Sequence, residues 1–467
     1  MESTPDPAQR TAFLGRDAIF PLLLKMGIPA AVGMLVNALY NVVDTIFVGH
    51  GVGPLAIAAL SIVFPIQMIV SALAQAIGVG SASIVSRRLG EKREGEAAAT
   101  IGTAYAAVFL LTGVLVVLLF VFMRPVLAFF GASEGIMPYA LEYLQVVTPG
   151  FFFFASSMAA NSLVRAEGNA RASMTGMLIG ALLNCVLDPL FIFGFGLGVK
   201  GAAIATVISQ LVSCAYLFSL YAMKKTHVPL SRSHFRIRLD LLRESALLGT
   251  PAFIQASGMS LLVLVINTTL GSYGGDQAIS VYGMINRLAM LVIFPILGMA
   301  QGFQPIVGYN YGARRYDRVR QAIRVAIMTV TGIAAVFYAA IMLFPKASMG
   351  MFSSDPALVA AAARVLRIVA LFIPLAAVQI IGSIYFQAVG KKPQALFLGL
   401  SRQFLILIPL VLILPRFMGL EGVWRAFPLA DLLSTLVTVS FLMRELRHLD
   451  ERHAGSDPHP VAGGSGS

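Results

Sequence analysis

The stretch Asn37–Gly49, NALYNVVDTIFVG, closes the first long apolar segment of the chain and carries an acidic residue, Asp44. In a helix its polar side chains share one face at spacings of i, i+3, i+4 and i+7: Asn37, Tyr40, Asn41 and Asp44. A carboxylate within a membrane span is energetically costly and typically marks a functional site. The stretch therefore predicts a transmembrane helix with a functional acid near one end.

The composition of the chain predicts a polytopic membrane protein. Of its 467 residues 58% are apolar and 12% are charged, whereas soluble domains contain roughly 25% charged residues. The mean hydropathy is +0.82. Such a chain could not cover a soluble core with polar side chains, which excludes an ordinary soluble protein.

Twelve apolar segments are long enough to span a bilayer, which takes about 20 residues. The predicted spans are residues 22–48, 55–85, 97–123, 138–164, 173–193, 202–223, 241–270, 278–307, 322–344, 359–385, 395–414 and 423–442. An even number of spans places both termini on the same side of the membrane. The sequence thus predicts an all-α fold of twelve transmembrane helices.

The distribution of Lys and Arg indicates which side the termini occupy. Most of these residues fall in the termini and in alternate loops; the opposite loops carry only Arg124, Lys200, Lys346, Arg416 and Arg425. By the positive-inside rule both termini are cytoplasmic in a cell (inner) membrane. The net charge of +12 is then explained by topology, and no nucleic-acid partner is expected.

A repeat divides the chain into two halves of six spans. Glycines such as Gly80 and Gly90 recur 222 residues later as Gly302 and Gly312. Because six spans separate the copies, both halves enter the membrane in the same direction, which predicts parallel repeats around a central cavity. The predicted units are an N-terminal lobe at 1–223 with a short cytoplasmic tail, a cytoplasmic linker at 224–240, a C-terminal lobe at 241–446, and a flexible cytoplasmic tail at 447–467, whose ending GGSGS is typical of an added linker.

The acids of the first half have no counterparts in the second. Asp44 maps near Asn267 and Asp188 maps near Pro409. With about 1.5 Å of rise per residue, Asp44, Asp188 and Thr206 each fall roughly 8 to 9 Å inside the outer membrane boundary. Asn184 lies one helical turn from Asp188, so spans one, five and six can present these residues to a single site.

Several motifs resemble those of the multidrug and toxic compound extrusion (MATE) family of transporters. They are YNVVDTIFVG at the end of span one, GVGSASIVSRRLGEKR after span two, NCVLDP in span five and GVKGAAIAT at the start of span six. The resemblance covers about residues 15 to 446 and is closest to prokaryotic branches with the coupling acid in the N-terminal half. It implies a cation-coupling site at Asp44, Asn184, Asp188 and Thr206, with Tyr40 in the same hydrogen-bond network.

The resemblance implies secondary active efflux of lipophilic or cationic organic compounds in exchange for H+ or Na+, by alternating access. The expected substrate cavity includes Asn37, Asn41, Asp44 and Asp188, and a bound Na+ would be held at Asp44, Asn184, Asp188 and Thr206. No cofactor other than the coupling ion is expected. The expected partners are the lipid bilayer and small organic cations or drugs, with no obligate protein partner.

Three charged residues of the second half lie at a similar depth, about ten or eleven residues from the outer boundary: Arg287, Arg402 and Asp431. They are candidates for a buried ionic cluster with a structural role. Acids on spans seven and ten, which another branch of the family carries, are missing apart from Glu244 near the start of span seven.

Two other functions remain as alternatives. A lipid or lipid-linked precursor flippase would share a two-lobed architecture, but its cavity should carry cations for a phosphate headgroup. An intramembrane enzyme would need a catalytic constellation, and no HExxH, GxSxG or phosphate-loop motif occurs in the sequence. The sequence therefore favours a transporter over an enzyme.

Overall fold

The computed structural model describes residues 11–51 and 54–454, and this part of the chain is helical with no β-strand. The α-helices are α1 (Phe13–Arg16), α2 (Ile19–Gly51), α3 (Pro54–Gly90), α4 (Glu94–Phe129), α5 (Met137–Ala166), α6 (Ala170–Pro189), α7 (Gly198–Ala222), α8 (Leu239–Gly312), α9 (Tyr316–Leu343), α10 (Pro345–Gly350), α11 (Pro356–Val369), α12 (Ile373–Ala388), α13 (Lys392–Leu400), α14 (Ile408–Ile413), α15 (Pro415–Met418) and α16 (Leu420–Ala454). Two π-helical turns, Leu190–Gly194 and Ser401–Leu407, and a 3₁₀ turn, Arg232–His234, complete the description.

The 74-residue element α8 is a hairpin of two spans. A straight helix of that length would reach roughly 110 Å, yet both of its ends lie against the same end of α3: Gly80 meets the backbone of Ser245, and Gly90 meets that of Tyr309. The chain reverses at Gly275, whose φ of 61° and ψ of -161° are not helical. Glycine adopts such a positive φ readily because it has no Cβ.

The spans can be counted from the described residues. These contain 10 helical stretches that are long and apolar enough to cross a membrane, and the bent pair of α11 and α12 counts as an eleventh. One of these stretches is α8, whose two arms are separate spans, so the prediction of twelve spans is confirmed.

Two of the predicted spans, 359–385 and 395–414, contain a break. α11 and α12 meet at a bend of 52°, where α12 opens with Pro374, and a π turn precedes Pro409. Proline lacks the N–H that would continue a preceding helix. Both breaks therefore lie beside a residue that disfavours a straight helix.

The helices form two lobes, each with its own apolar core. One core joins residues between Val48 and Val228, and the other joins residues between Leu262 and Leu449. The beginning of α2, from Ile19 to Met26, packs into the second core although it precedes the first lobe in sequence. The predicted lobe boundaries at 223 and 241 remain a prediction, and α2 connects the two units.

The last helix continues further than expected. α16 runs to Ala454, so residues 447–454 extend a helix and do not belong to a flexible tail. The rest of the predicted tail lies outside the described residues.

One end of the bundle, which we call the basic face, is formed by the turns at residues 91–93, 167–169, 223–238, 313–315 and 389–391. Just inside this face the lobes touch through glycines. A Cβ on Gly80 would overlap the Ser245 carbonyl, one on Gly249 would overlap that of Ala76, and one on Gly302 would overlap the backbone of Gly27. We call these contacts the interlobe seal. Gly80 and Gly302 are copies in the sequence repeat, so the repeat preserves the positions at which the lobes approach each other most closely.

Hydrogen bonds reinforce the seal. Ser83 donates to the carbonyl of Gln387 across the lobe boundary at 2.6 Å, and the Ser81 and Ser245 hydroxyls are 2.9 Å apart. Arg87 pairs with Glu244 at 3.1 Å. Glu244, at the start of the seventh span, is thus part of this interlobe contact.

Glu167 holds the linker between the lobes against the first lobe. Its side chain is fully buried. One oxygen accepts from the Tyr221 hydroxyl at 2.7 Å, and the other accepts from the backbone N–H groups of His227 and Val228 at 2.8 and 3.0 Å. Burial raises the pKa of Glu167 to about 7, although these hydrogen bonds oppose the shift.

The seal depends on the absence of side chains at its glycines. Gly249→Ala should lower the thermal unfolding midpoint of the purified protein, at a cost of about 1 to 3 kcal/mol, because the new methyl group forces the lobes apart. The control is Gly113→Ala in α4, where a Cβ would meet nothing within 4 Å. Equal midpoints for the two variants would contradict close packing at Gly249.

The raised pKa of Glu167 predicts a pH dependence of stability. The carboxyl group binds its proton more tightly in the folded than in the unfolded protein, so it stabilises the fold at low pH. This contribution is lost as the pH rises from about 4.5 through about 7, a change on the order of 3 kcal/mol. Glu167→Gln should make the thermal midpoint less dependent on pH over this range, whereas Glu134→Gln, at an exposed site, should not. An unchanged slope in Glu167→Gln would contradict the assignment.

Candidate functional site

Asp44 lies in an unbroken helical stretch of α2. Ile19–Gly51 is helical throughout, so Asn37, Tyr40 and Asp44 share one face as their spacing predicted. Asn37 is exposed, and Tyr40 and Asp44 are partly buried. The side chain of Asn41 lies outside the described residues.

Two further helices bring the other predicted residues together. The Asn184 amide on α6 donates to Asp188 Oδ1 at 3.2 Å and to the Thr206 hydroxyl on α7 at 3.4 Å. The exposed fractions of Asn184, Asp188 and Thr206 are 2%, 0% and 7%. Asn184 therefore links the two helices from the position one turn before the acid.

Asp44 reaches the same group of residues. Its carboxyl group lies within hydrogen-bonding reach of that of Asp188. A hydrogen bond between two carboxyl groups requires a proton on one of them. When both are ionised they repel each other, and the repulsion is removed by a proton or by a bound cation. The pair therefore forms a site whose charge must be balanced from outside the protein.

Tyr143 of α5 is part of this site and was missed by the sequence analysis. Its side chain is 7% exposed; it hydrogen-bonds Thr206 and lies beside Asp44, Asp188 and Tyr40. A tyrosine near the end of an apolar span is common at membrane interfaces, so its position in the sequence did not single it out.

Gln210 of α7 carries two further buried polar atoms near the site in sequence. It is one helical turn from Thr206 on the same face. Its amide oxygen and nitrogen are buried without a partner among the described residues.

Three buried oxygens of the site accept no hydrogen bond from any residue in 11–51 or 54–454: Asp44 Oδ1, Asn184 Oδ1 and Asp188 Oδ2. Buried acceptors are normally satisfied. Carboxylate and amide oxygens are the ligands that hard cations prefer, and they also accept from a protonated group. The described residues contain no group of three or more His, Cys, Asp and Glu side chains that could hold a metal. The unpaired oxygens of the site can accept from a protonated group or coordinate a cation.

The site lies on the far side of the interlobe seal from the basic face. Ala31 on α2 is in backbone-level contact with Gly298 of the second lobe, and the helix rises roughly 20 Å from Ala31 to Asp44. A ligand at Asp44 is therefore separated from the basic face by closely packed backbone.

In the second lobe the structure brings together two of the three predicted charged residues. Arg402, in the π turn, donates from Nε to Asp431 of α16 at 2.5 Å. Asp431 is 2% exposed. Arg287 is exposed, and it forms no ion pair with a described residue. The pair lies in the lobe that lacks copies of Asp44 and Asp188.

Comparisons with known proteins show relatives of this chain along most of its length. A family profile described as MatE matches residues 29–190 and 251–413, one segment in each half of the chain. The multidrug export protein MepA of Staphylococcus saprophyticus subsp. saprophyticus is 27% identical over 447 residues, which cover 94% of this chain and 97% of that protein.

Solved structures show the same architecture. The MATE multidrug transporter DinF-BH is 42% identical to this chain, with a TM-score of 0.84 and coverage of 92% of this chain and 96% of that chain. The outward-facing conformation of a multidrug resistance MATE family transporter of the MOP superfamily is 28% identical, with a TM-score of 0.87 and coverage of 96% and 99%.

The buried pair in the second lobe should contribute strongly to stability. Asp431→Ala leaves the Arg402 guanidinium without its partner, so unfolding should become easier by about 3 kcal/mol. Arg287→Ala, at an exposed position, should change the free energy of unfolding by no more than about 0.5 kcal/mol. Thermal unfolding of the two variants in detergent tests this difference, and similar losses in both would show that Arg287 belongs to the cluster.

Proposed function

The chain belongs to the MatE family of membrane transporters, which are not enzymes, and we propose that it exports lipophilic organic cations and related drugs in exchange for H+ or Na+. One observation carries this proposal: the Asp44 and Asp188 carboxyl groups meet in a buried site with three oxygens that lack a donor among the described residues. Multidrug export in relatives such as MepA supports the substrate class.

Exchange follows from competition for the negative charge of this site. When Asp44 and Asp188 lack a proton or bound ion, an organic cation restores charge balance and is held. When a proton binds between the two carboxyl groups, or Na+ binds to their oxygens, the charge is already balanced and the organic cation is released. The organic cation and the coupling ion thus compete for the same site, as coupled exchange requires.

The surrounding residues define the role of each member of the site. Asn184 joins Asp188 to Thr206, and Tyr143 hydrogen-bonds Thr206 and lies near the acids. Binding or release of a proton or ion at Asp188 therefore affects residues on three helices, α5, α6 and α7. Asp44 belongs to α2 and Asp188 to α6. Binding of a proton or ion between the two carboxyl groups can therefore alter how α2 packs against α6.

The closed seal supports alternating access. The basic face, which the distribution of Lys and Arg predicts to be cytoplasmic, is closed by the interlobe seal. Export would require the seal to open so that a substrate can enter from the cytoplasm. Glycine contacts suit such a step, because backbones without side chains separate without rearranging rotamers.

The acids themselves test the proposal. In proteoliposomes, wild-type protein should drive efflux of ethidium under an imposed proton gradient or sodium gradient. Asp44→Asn should reduce this gradient-driven transport at least about tenfold, since an amide can neither bind the proton nor supply the charge. Asp188→Asn should also reduce it.

The control for this experiment is Asp276→Asn, which changes an exposed acid at the α8 hairpin and should leave efflux unchanged. Transport under only one gradient identifies the coupling ion. Wild-type efflux from Asp44→Asn, with folding verified by thermal unfolding, would contradict the proposed mechanism. Absence of efflux under both gradients in the wild type would overturn the antiport proposal.

A further inference from the structure

A pocket of about 300 Å³ opens at the basic face, outside the transport site. Its lining comes from α1, the start of α2, the α5–α6 turn, the start of α6 and the interlobe linker. The lining residues are Phe13, Lys25, Met26, Gly168, Asn169, Ala170, Arg171 and His227. We call it the α1–α6 pocket. Neither the seal nor the acidic site uses its two cations, Lys25 and Arg171, so their common placement needs a separate explanation.

We propose that the α1–α6 pocket binds the phosphate group of an anionic phospholipid at the membrane surface, with Lys25 and Arg171 supplying the positive charge. Basic pockets between transmembrane helices at a membrane surface are suited to anionic headgroups. The proposal does not depend on the transported substrate or on the coupling ion.

The charges that face the pocket favour an anion. Lys25 and Arg171 are exposed, so both are accessible to a ligand at the protein surface. The nearest acid to Lys25 is Asp17, at 3.9 Å, and both side chains of this pair are about half exposed, which makes the pair weak. Glu167 directs its carboxyl oxygens to Tyr221 and the linker backbone, and burial raises its pKa to about 7, so it opposes an anion only in part.

Aromatic and glycine residues fix the shape of the pocket. The Phe13 ring meets the His227 ring edge-on at 6.2 Å, and Lys25 Nζ lies 4.6 Å from the centre of the Phe13 ring. Gly168 has a φ of +92°, and a Cβ there would lie 2.7 Å from the Phe13 ring. Phe13 thus keeps the lysine ammonium beside the pocket, and only glycine leaves room for the ring.

The position of the pocket favours a lipid over a soluble anion. Lys25 is followed along the same face of α2 by Ile28 and Val32, which are 51% and 38% exposed. At this depth another face of α2, at Gly27 and Ala31, packs against the second lobe through the seal. The exposed face therefore points away from the lobe boundary and towards lipid, so an acyl chain can follow Ile28 and Val32 while the phosphate stays at Lys25.

A bound phosphate would join parts of the chain that are far apart in sequence. Lys25 lies near the start of α2, whose first residues pack into the core of the second lobe, and Arg171 lies at the start of α6 in the first lobe. A lipid held between them would stabilise the arrangement of α1 and α2 at the closed basic face.

The test uses the full-length protein in a neutral detergent, with thermal unfolding as the readout. Mixed micelles are titrated with dioleoylphosphatidylglycerol, with dioleoylphosphatidylcholine, or with sodium phosphate alone. We expect phosphatidylglycerol to raise the midpoint of the wild type in a saturable way, and the other two additives to have little effect. In the double variant Lys25→Gln with Arg171→Gln, the half-saturating phosphatidylglycerol fraction should rise roughly tenfold, as expected for the loss of two cations near an anionic headgroup.

The matched control removes two exposed arginines near the end of α16: Arg444→Gln with Arg447→Gln. It loses the same charge, and its half-saturating fraction should equal that of the wild type. Equal shifts in the two double variants would overturn the proposal, because they would show a general effect of surface charge. Stabilisation by phosphatidylcholine or by sodium phosphate to the same extent would overturn the assignment to an anionic phospholipid.

Discussion

Two neighbouring carboxyl groups repel each other when both are ionised, and a proton or a bound cation relieves that repulsion. In this protein they belong to Asp44 on α2 and Asp188 on α6. Because these helices are far apart in sequence, the packing of the first lobe determines whether the two acids come together. Asn184 donates a hydrogen bond to the second acid and another to Thr206, while α2 presents the first acid. Under the proposed mechanism a proton or cation that reaches the site acts on both acids, and α2 is the element that would pass this change to the rest of the molecule.

The connection of α2 to both lobes gives this response a physical route. Its first turns belong to the core of the second lobe, and its last turns carry Asp44 into the first. Between these parts, Gly27 and Ala31 contact the second lobe at backbone distance. Because α2 packs against the second lobe at its start and carries Asp44 into the first lobe at its end, it offers a connection between the acidic site and the interlobe seal. The α1–α6 pocket lies at the start of this same helix.

Much of the fold could be predicted from hydropathy and charge. The twelve spans and the family were confirmed, because long apolar segments and clustered motifs are local properties of the sequence. The interruptions at Phe372 and before Pro409 were not predicted. Proline signals were present there, but an apolar segment looks the same in a window whether it is straight or broken. The extension of α16 past residue 446 was also missed, since polarity beyond the membrane does not end a helix.

The sequence by itself determined that this chain spans a membrane twelve times, that its two halves repeat at an offset of 222 residues, and that the acids Asp44 and Asp188 lie in one half. These follow from composition and periodicity, which act along the chain. Only the tertiary structure decided that Asp44 reaches Asp188 and that Tyr143 lies beside both acids. It also decided that Arg402 pairs with Asp431 and that repeated glycines form the seal. Each of these depends on how helices rotate and approach one another, and that is fixed by packing between segments far apart in sequence.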